Sequence, residues 1–149
     1  MDNAFFKKAK PIFLKNHEKT LNTFAVFRAE TDTLKNATIY VTAFSFYRLI
    51  VNGKFVAFGP ARTAKGYARV DVIDLTPYHA ENKNEIIIEV VGYYCHSLST
   101  VKQPSFLCAE IRTENETLAS TGDNFEGFHP ACKVRNVKRY SYQRHFGEV

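Results

Sequence analysis

Tyr47-Arg48-Leu49-Ile50-Val51-Asn52-Gly53-Lys54-Phe55-Val56-Ala57-Phe58 decides the fold class. Asn-Gly between two apolar-rich runs supplies the two residues of positive φ that a type I′ hairpin turn demands, so register is fixed around Asn52-Gly53. Working outward, period-two alternation dominates, and no stretch longer than about a turn carries the apolar spacing of an amphipathic helix. Strands are expected at 23–30, 37–43, 46–52, 54–59, 69–75, 84–92, 105–113, 116–121 and 137–146. Eight or nine short strands at this spacing predict an all-β sandwich or jelly roll. The nearly continuous apolar run 84–92 predicts a strand covered on both faces. Thr76-Pro77-Tyr78-His79 predicts a single helical turn, with Thr76 as N-cap and Pro77 at the first helical position.

The chain has 149 residues, 45% hydrophobic and 14% aromatic. That is one domain with enough apolar surface for a core, which excludes disordered and collagen-like classes. No apolar run approaches the ~20 residues of a membrane span. The N-terminus has two phenylalanines followed by lysines and no apolar h-region, so no export signal is expected in this chain. The net charge of +5 belongs to the ends: residues 1–28 carry six Lys/Arg against two acids, and residues 133–149 five against one, leaving a mildly acidic middle. A nucleic-acid binder shows its basic residues on one face of the folded body, so this distribution argues against one.

Cys95, Cys108 and Cys132 are odd in number and lack C-x-x-C spacing, which argues against a zinc ribbon; one 95–132 or 108–132 bridge stays open, with buried free thiols the favoured reading. The five histidines are scattered, and nucleophile-elbow, zinc-helix, Walker and dinucleotide motifs are absent. Asp71 and Asp74, the nearest candidates for a glycosidase carboxylate pair, lie three residues apart in a strand and point to opposite faces. Asp71 is expected to pair with a basic neighbour and Asp74 to cap the turn at Thr76. The chain itself is expected to catalyse nothing.

Three stretches carry binding potential. The glycine-bracketed loop 59–66 and its continuation hold Arg62, Tyr67 and Arg69, and Tyr93, Tyr94 and His96 follow a core strand. Donors and rings on loops suit sugar recognition or domain docking, and equally a plain crossover or a filled sandwich mouth. The tail from Lys133 to Phe146 interleaves cations with aromatics, as an edge strand and linker or a stacking surface for single-stranded nucleic acid would.

Tyr47-Arg48-Leu49-Ile50-Val51-Asn52-Gly53-Lys54, Gly59-Pro60-Ala61-Arg62, Gly66-Tyr67-Ala68-Arg69-Val70-Asp71, Asp74-Leu75-Thr76-Pro77-Tyr78, Asn84-Glu85-Ile86 and Gln103-Pro104-Ser105-Phe106-Leu107 come in an order that resembles the N-terminal β-sandwich of bacterial α-L-rhamnosidases, glycoside hydrolase family 78. The tail 137–144 looks like the stretch leading into the rest of such enzymes. The resemblance implies a jelly-roll or galactose-binding-like sandwich over 24–149, preceded by an extension 1–23, and a catalytic domain C-terminal to it. Family members hydrolyse terminal α-L-rhamnose with acidic residues on a barrel that this chain lacks, so no catalytic residue carries over. Some related sandwiches hold rhamnose through calcium, but the matching position, Thr42-Ala43-Phe44-Ser45-Phe46, has no carboxylate, and calcium needs several charged oxygens. No cofactor is therefore expected. The expected role is an accessory domain that supports the catalytic barrel and contacts carbohydrate through Arg62, Tyr67, Arg69, Tyr93, Tyr94 and His96. A free-standing carbohydrate-binding module and a polyanion binder acting through the basic ends are the alternatives. Expected partners are the catalytic domain, rhamnose-containing glycans and a second copy of the chain, in a bacterial periplasm or cytoplasm, with neither nucleic acid nor membrane. An exposed apolar or aromatic patch is expected where a partner would sit.

Overall fold

A computed structural model describes residues 5–96 and 100–130, together with the backbone of 137–138 and 146–147. The strands are β1 (Thr23–Thr31), β2 (Thr38–Phe44), β3 (Phe46–Val51), β4 (Lys54–Gly59), β5 (Asp71–Asp74), β6 (Asn84–Gly92), β7 (Phe106–Arg112), β8 (Thr117–Ser120), β9 (Glu126–Phe128), β10 (Val137–Lys138) and β11 (Phe146–Gly147). They form a five-stranded sheet, β4-β3-β6-β1-β9, facing a four-stranded sheet, β5-β2-β7-β8, with β10 and β11 paired apart from both. Every pairing is antiparallel, and nine strands make the sandwich, as expected.

The strand pleat puts alternate side chains inside. Ala25, Phe27 and Ala29 of β1, Ile39 and Val41 of β2, Tyr47, Leu49 and Val51 of β3, Ile86, Ile88 and Val90 of β6, and Leu107, Ala109 and Ile111 of β7 are all buried in one cluster. Each fully buried Leu or Ile contributes about 1.5–3 kcal/mol relative to its exposed state.

The Asn52-Gly53 turn is of the expected kind, with φ of 50° and 74°. Its asparagine also reaches out of the hairpin. Asn52 Nδ2 donates to Tyr78 O at 2.7 Å and to Asn84 Oδ1 at 3.0 Å, and Glu85 N–H donates to Asn52 Oδ1 at 2.8 Å. Asn84 is fully buried; its Oδ1 also accepts from Ala80 N–H, and its Nδ2 donates to Ala80 O and Asp32 O. Two carboxamides thus tie the hairpin turn, the start of β6 and the loops before β2 and β6 to one another.

The chain before β1 is held on the four-stranded sheet. Glu110 on β7 is fully buried, and its Oε2 accepts backbone N–H groups of Lys7, Lys8 and Ala9 at 2.9, 2.7 and 2.9 Å. Its Oε1 accepts from Arg112 at 3.1 Å, and the Arg112 guanidinium lies 3.7 Å over the Tyr40 ring. Burial alone would raise the Glu110 carboxyl, but the backbone donors and Arg112 together hold it below the ordinary glutamate range. Further along, Lys10 N–H bonds Thr121 O, Ile12 bridges Leu107, and the Phe13 ring meets Phe27.

Three expectations are corrected. The 3₁₀ turn spans Thr76–Tyr78 with Leu75, not Thr76, at the N-cap; Asp74 Oδ1 instead accepts Thr76 N–H at 2.9 Å, because a short acid one step earlier reaches that donor. The expected single strand 137–146 has its two ends in different strands, since β10 and β11 pair with each other antiparallel; residues 139–145 lie outside the described residues. The outer face of β6, with Ile87 and Val91, is only half-buried, where full cover on both faces was expected. A short strand missed in the sequence, Glu126–Phe128, completes the sheet beside β1.

Two outcomes follow for stability. Asn52→Gly keeps the positive φ and loses only the side-chain bonds; urea unfolding will show a loss of about 1–3 kcal/mol with an unchanged m-value. Because Glu110 is depressed in the folded state, its contribution is full above the ordinary glutamate range and vanishes as pH falls through its lower folded value. Glu110→Gln will therefore cost about 2 kcal/mol at neutral pH, and urea midpoints will show the difference from wild type shrinking on acidification.

Candidate functional site

The loop between β4 and β5 is shaped by local chemistry. Gly66 takes φ of 87° two residues after Ala64, whose carbonyl accepts Tyr67 N–H at 3.1 Å, and Thr63 Oγ1 donates to Tyr67 O at 2.7 Å. This is a type II turn, with the glycine where φ must be positive. Below it, Tyr47 of the five-stranded sheet donates its hydroxyl to Asp71 Oδ2 of the other sheet at 2.6 Å. Burial, then the Asp71 bond and charge, push the Tyr47 phenol far above its ordinary value, so it stays a donor. Gly59 permits this contact, since a Cβ there would overlap Asp71 Oδ2 and press on the Tyr47 ring.

A cleft of about 370 Å³ opens beside this loop. Its floor is the corner where the chain passes from β2 to β3, Phe44-Ser45-Phe46, and its walls include Arg62, Thr63, Tyr67 and Thr100. Tyr67 is 72% exposed, so its ring is offered to solvent beside a mostly apolar hollow that also carries Ser45, Arg62, Thr63 and Thr100. Rings of this kind stack on the apolar faces of pyranoses, with hydroxyls and guanidinium groups at the edge supplying hydrogen bonds.

The six residues singled out in the sequence divide here. Arg62 and Tyr67 line the cleft. Arg69 turns to Asp71, Nε to Oδ1 3.5 Å. Tyr93 packs edge-on against Phe46, with ring centroids 6.1 Å apart, and its N–H bonds Ser45 Oγ, so it supports the floor from behind. Tyr94 adopts φ of 47° with the Lys102 ammonium 4.9 Å over its ring, and His96 Nδ1 accepts Lys102 N–H at 3.3 Å. Both thus contact Lys102, next to Thr100 and Val101, which line the cleft. Thr100 was missed, because an isolated hydroxyl in a loop carries no pattern of its own, whereas Ser45 lies in the 42–46 corner already weighed for calcium.

Asp74, exposed, is lowered by its bonds to Thr76, and Asp71 faces Tyr47, so the two carboxyls serve separate structural ends. Cys95 and Cys108 are free thiols, the second buried and pushed up to about 11; Cys132 lies outside the described residues. Among the described residues, no three His, Cys, Asp or Glu side chains gather to hold a metal, and the 42–46 corner offers hydroxyls without a carboxylate, a poor fit to calcium.

In urea unfolding, Tyr67→Ala will stay within about 0.5 kcal/mol of wild type, as its ring is exposed. Tyr47→Phe will cost about 1–2 kcal/mol, because it strips the bond between the sheets.

No family model and no curated protein sequence matches the chain. Solved structures do. A GH78 family rhamnosidase of Bacillus sp. GL1 aligns with a TM-score of 0.75 and 26% identity, over 83% of this chain and 13% of that one. The α-L-rhamnosidase of Streptomyces avermitilis, solved with L-rhamnose, aligns at 0.56 and 17% over 85% and 13%. The Pleurotus ostreatus lectin aligns at 0.58 and 17% over 82% and 35%. The last two likenesses speak to the fold alone. The chain is thus similar, over most of its length, to part of a GH78 family rhamnosidase, of which it spans 13%.

Proposed function

We propose that this chain serves as the non-catalytic N-terminal accessory domain of an α-L-rhamnosidase-like glycoside hydrolase, over residues 24–149 with 1–23 as its extension. The observation that carries this reading is the likeness to the Bacillus GH78 rhamnosidase, in which the matching part is a small share of a much longer chain. The full enzyme would hydrolyse terminal α-L-rhamnosides with residues of its C-terminal catalytic domain. This domain supports that partner and lends the rim of the Arg62–Tyr67 cleft to rhamnose-bearing glycans. Such a rim acts by positioning: a stacked ring and hydroxyl donors hold a neutral sugar without moving a proton.

A second reading, a free-standing carbohydrate-binding module, is favoured by the exposed Tyr67 ring over a hollow of sugar size. Calorimetric titration with L-rhamnose and rhamnosyl oligosaccharides, with and without calcium and at two salt concentrations, tests both. Weak, salt-independent binding lost in Arg62→Ala and Tyr67→Ala supports carbohydrate contact by the cleft. Silence with every sugar from folded protein removes sugar contact and the module reading, leaving the supporting role. Binding only to polyanions, weakening steeply with salt, overturns both in favour of the basic ends.

A further inference from the structure

Methyl groups make up much of the Tyr67 cleft. Ala43 at the inner end of β2, Ala61, Ala64 and Ala68 on the connection from β4 to β5, and Val101 on the loop before β7 all border it. That connection is rich in cations, yet Arg69 turns to Asp71 and Lys65 is not part of the lining, so the loop gives the cleft its alanines together with Arg62 and Tyr67. The hydroxyls nearby are committed to the protein itself. Thr63 Oγ1 donates to Tyr67 O at 2.7 Å, Thr100 Oγ1 donates to Cys95 O at 3.2 Å, and Ser45 Oγ accepts Tyr93 N–H at 3.1 Å. A volume of about 370 Å³ is at the small end for ligand pockets, room for one sugar residue rather than a chain.

An apolar lining of this size sorts sugars by one substituent. A pyranose edge pressed on alanine methyls loses its water and gains no hydrogen bond in return, so a hydroxyl on that edge is penalised and a methyl is favoured. The exocyclic carbon of a hexose, C6, carries a hydroxyl in the ordinary sugars and none in the 6-deoxyhexoses, where it is a methyl. Ring stacking and a guanidinium accept either kind; the alanines tell them apart.

We propose that the Tyr67 cleft selects terminal 6-deoxyhexoses, with the C6 methyl seated against Ala61, Ala64 and Ala68 and the ring stacked on Tyr67. This selectivity rests on the sugar reading of the cleft and adds a preference that Arg62 and Tyr67 do not supply.

Ligand-observed NMR titration with methyl α-L-rhamnopyranoside against methyl α-L-mannopyranoside, which differ only in the C6 hydroxyl, reads it; methyl α-L-fucopyranoside against methyl α-L-galactopyranoside is a second such pair. In each pair the deoxy sugar is expected to bind about tenfold tighter, within the range that one small group commands in an apolar pocket. Saturation transferred from the protein is expected to fall most strongly on its C6 methyl protons. The Ala61→Ser, Ala64→Ser double variant, changed at two exposed loop positions, will narrow the preference several-fold. Equal affinity within each pair overturns the proposal while sugar contact stands. An unchanged preference in the double variant overturns the role given to the alanines. No binding of any of the four glycosides, by protein whose amide spectrum shows it folded, overturns the proposal together with the sugar reading.

Discussion

The buried carboxamide of Asn84 is the constraint on which the sandwich most depends. It sits at the first residue of β6, the strand that both β1 and β3 pair with, and its hydrogen bonds reach three different connections: two go to Ala80, one to Asp32 and one to the turn asparagine Asn52. A fully buried amide left unpaired is costly, so the loops around it have one arrangement that satisfies it and no cheap alternative. With the start of β6 fixed, a one-residue slip of β1 or β3 would turn their apolar side chains outward, and the core locks the rest. The Tyr47–Asp71 bond then joins the two sheets on the far side of the same layer.

Much of this was legible beforehand because it rests on short-range signals. Asn52-Gly53, strict alternation in β1 and β3, and the bounds of β4 and β6 all follow from adjacent residues, and the strands appear where alternation places them. What escaped depends on long-range partners. Glu126–Phe128 is too short to alternate and becomes a strand only by pairing with β1. Glu110 reads in isolation as an outward-facing charge; its burial comes from a segment a hundred residues earlier folding over it. The β6 run suggested two covered faces, yet the outward-facing Ile87 and Val91 are only half-buried.

The site was half legible for the same reason. Arg62 and Tyr67 share a loop whose glycines announce it, so their approach to one hollow could be foreseen. Tyr93, Tyr94 and His96 were grouped by nearness in sequence, but a strand end and a positive-φ residue send successive side chains in different directions: one under Phe46, one beneath Lys102, one to a backbone donor. Cleft formation needed the β2–β3 corner, which brings Ser45 between the two loops and has no signature in composition.

The grip of Glu110 on the backbone of residues 7–9 has a consequence for how the chain is made. The partners lie 101–103 residues apart, so residues 7–9 have no carboxylate to hold them until β7 has been translated. At ordinary elongation rates that interval is about 5–20 s. During it the strap waits in the open, and it can close only after the strand that carries its anchor has left the ribosome.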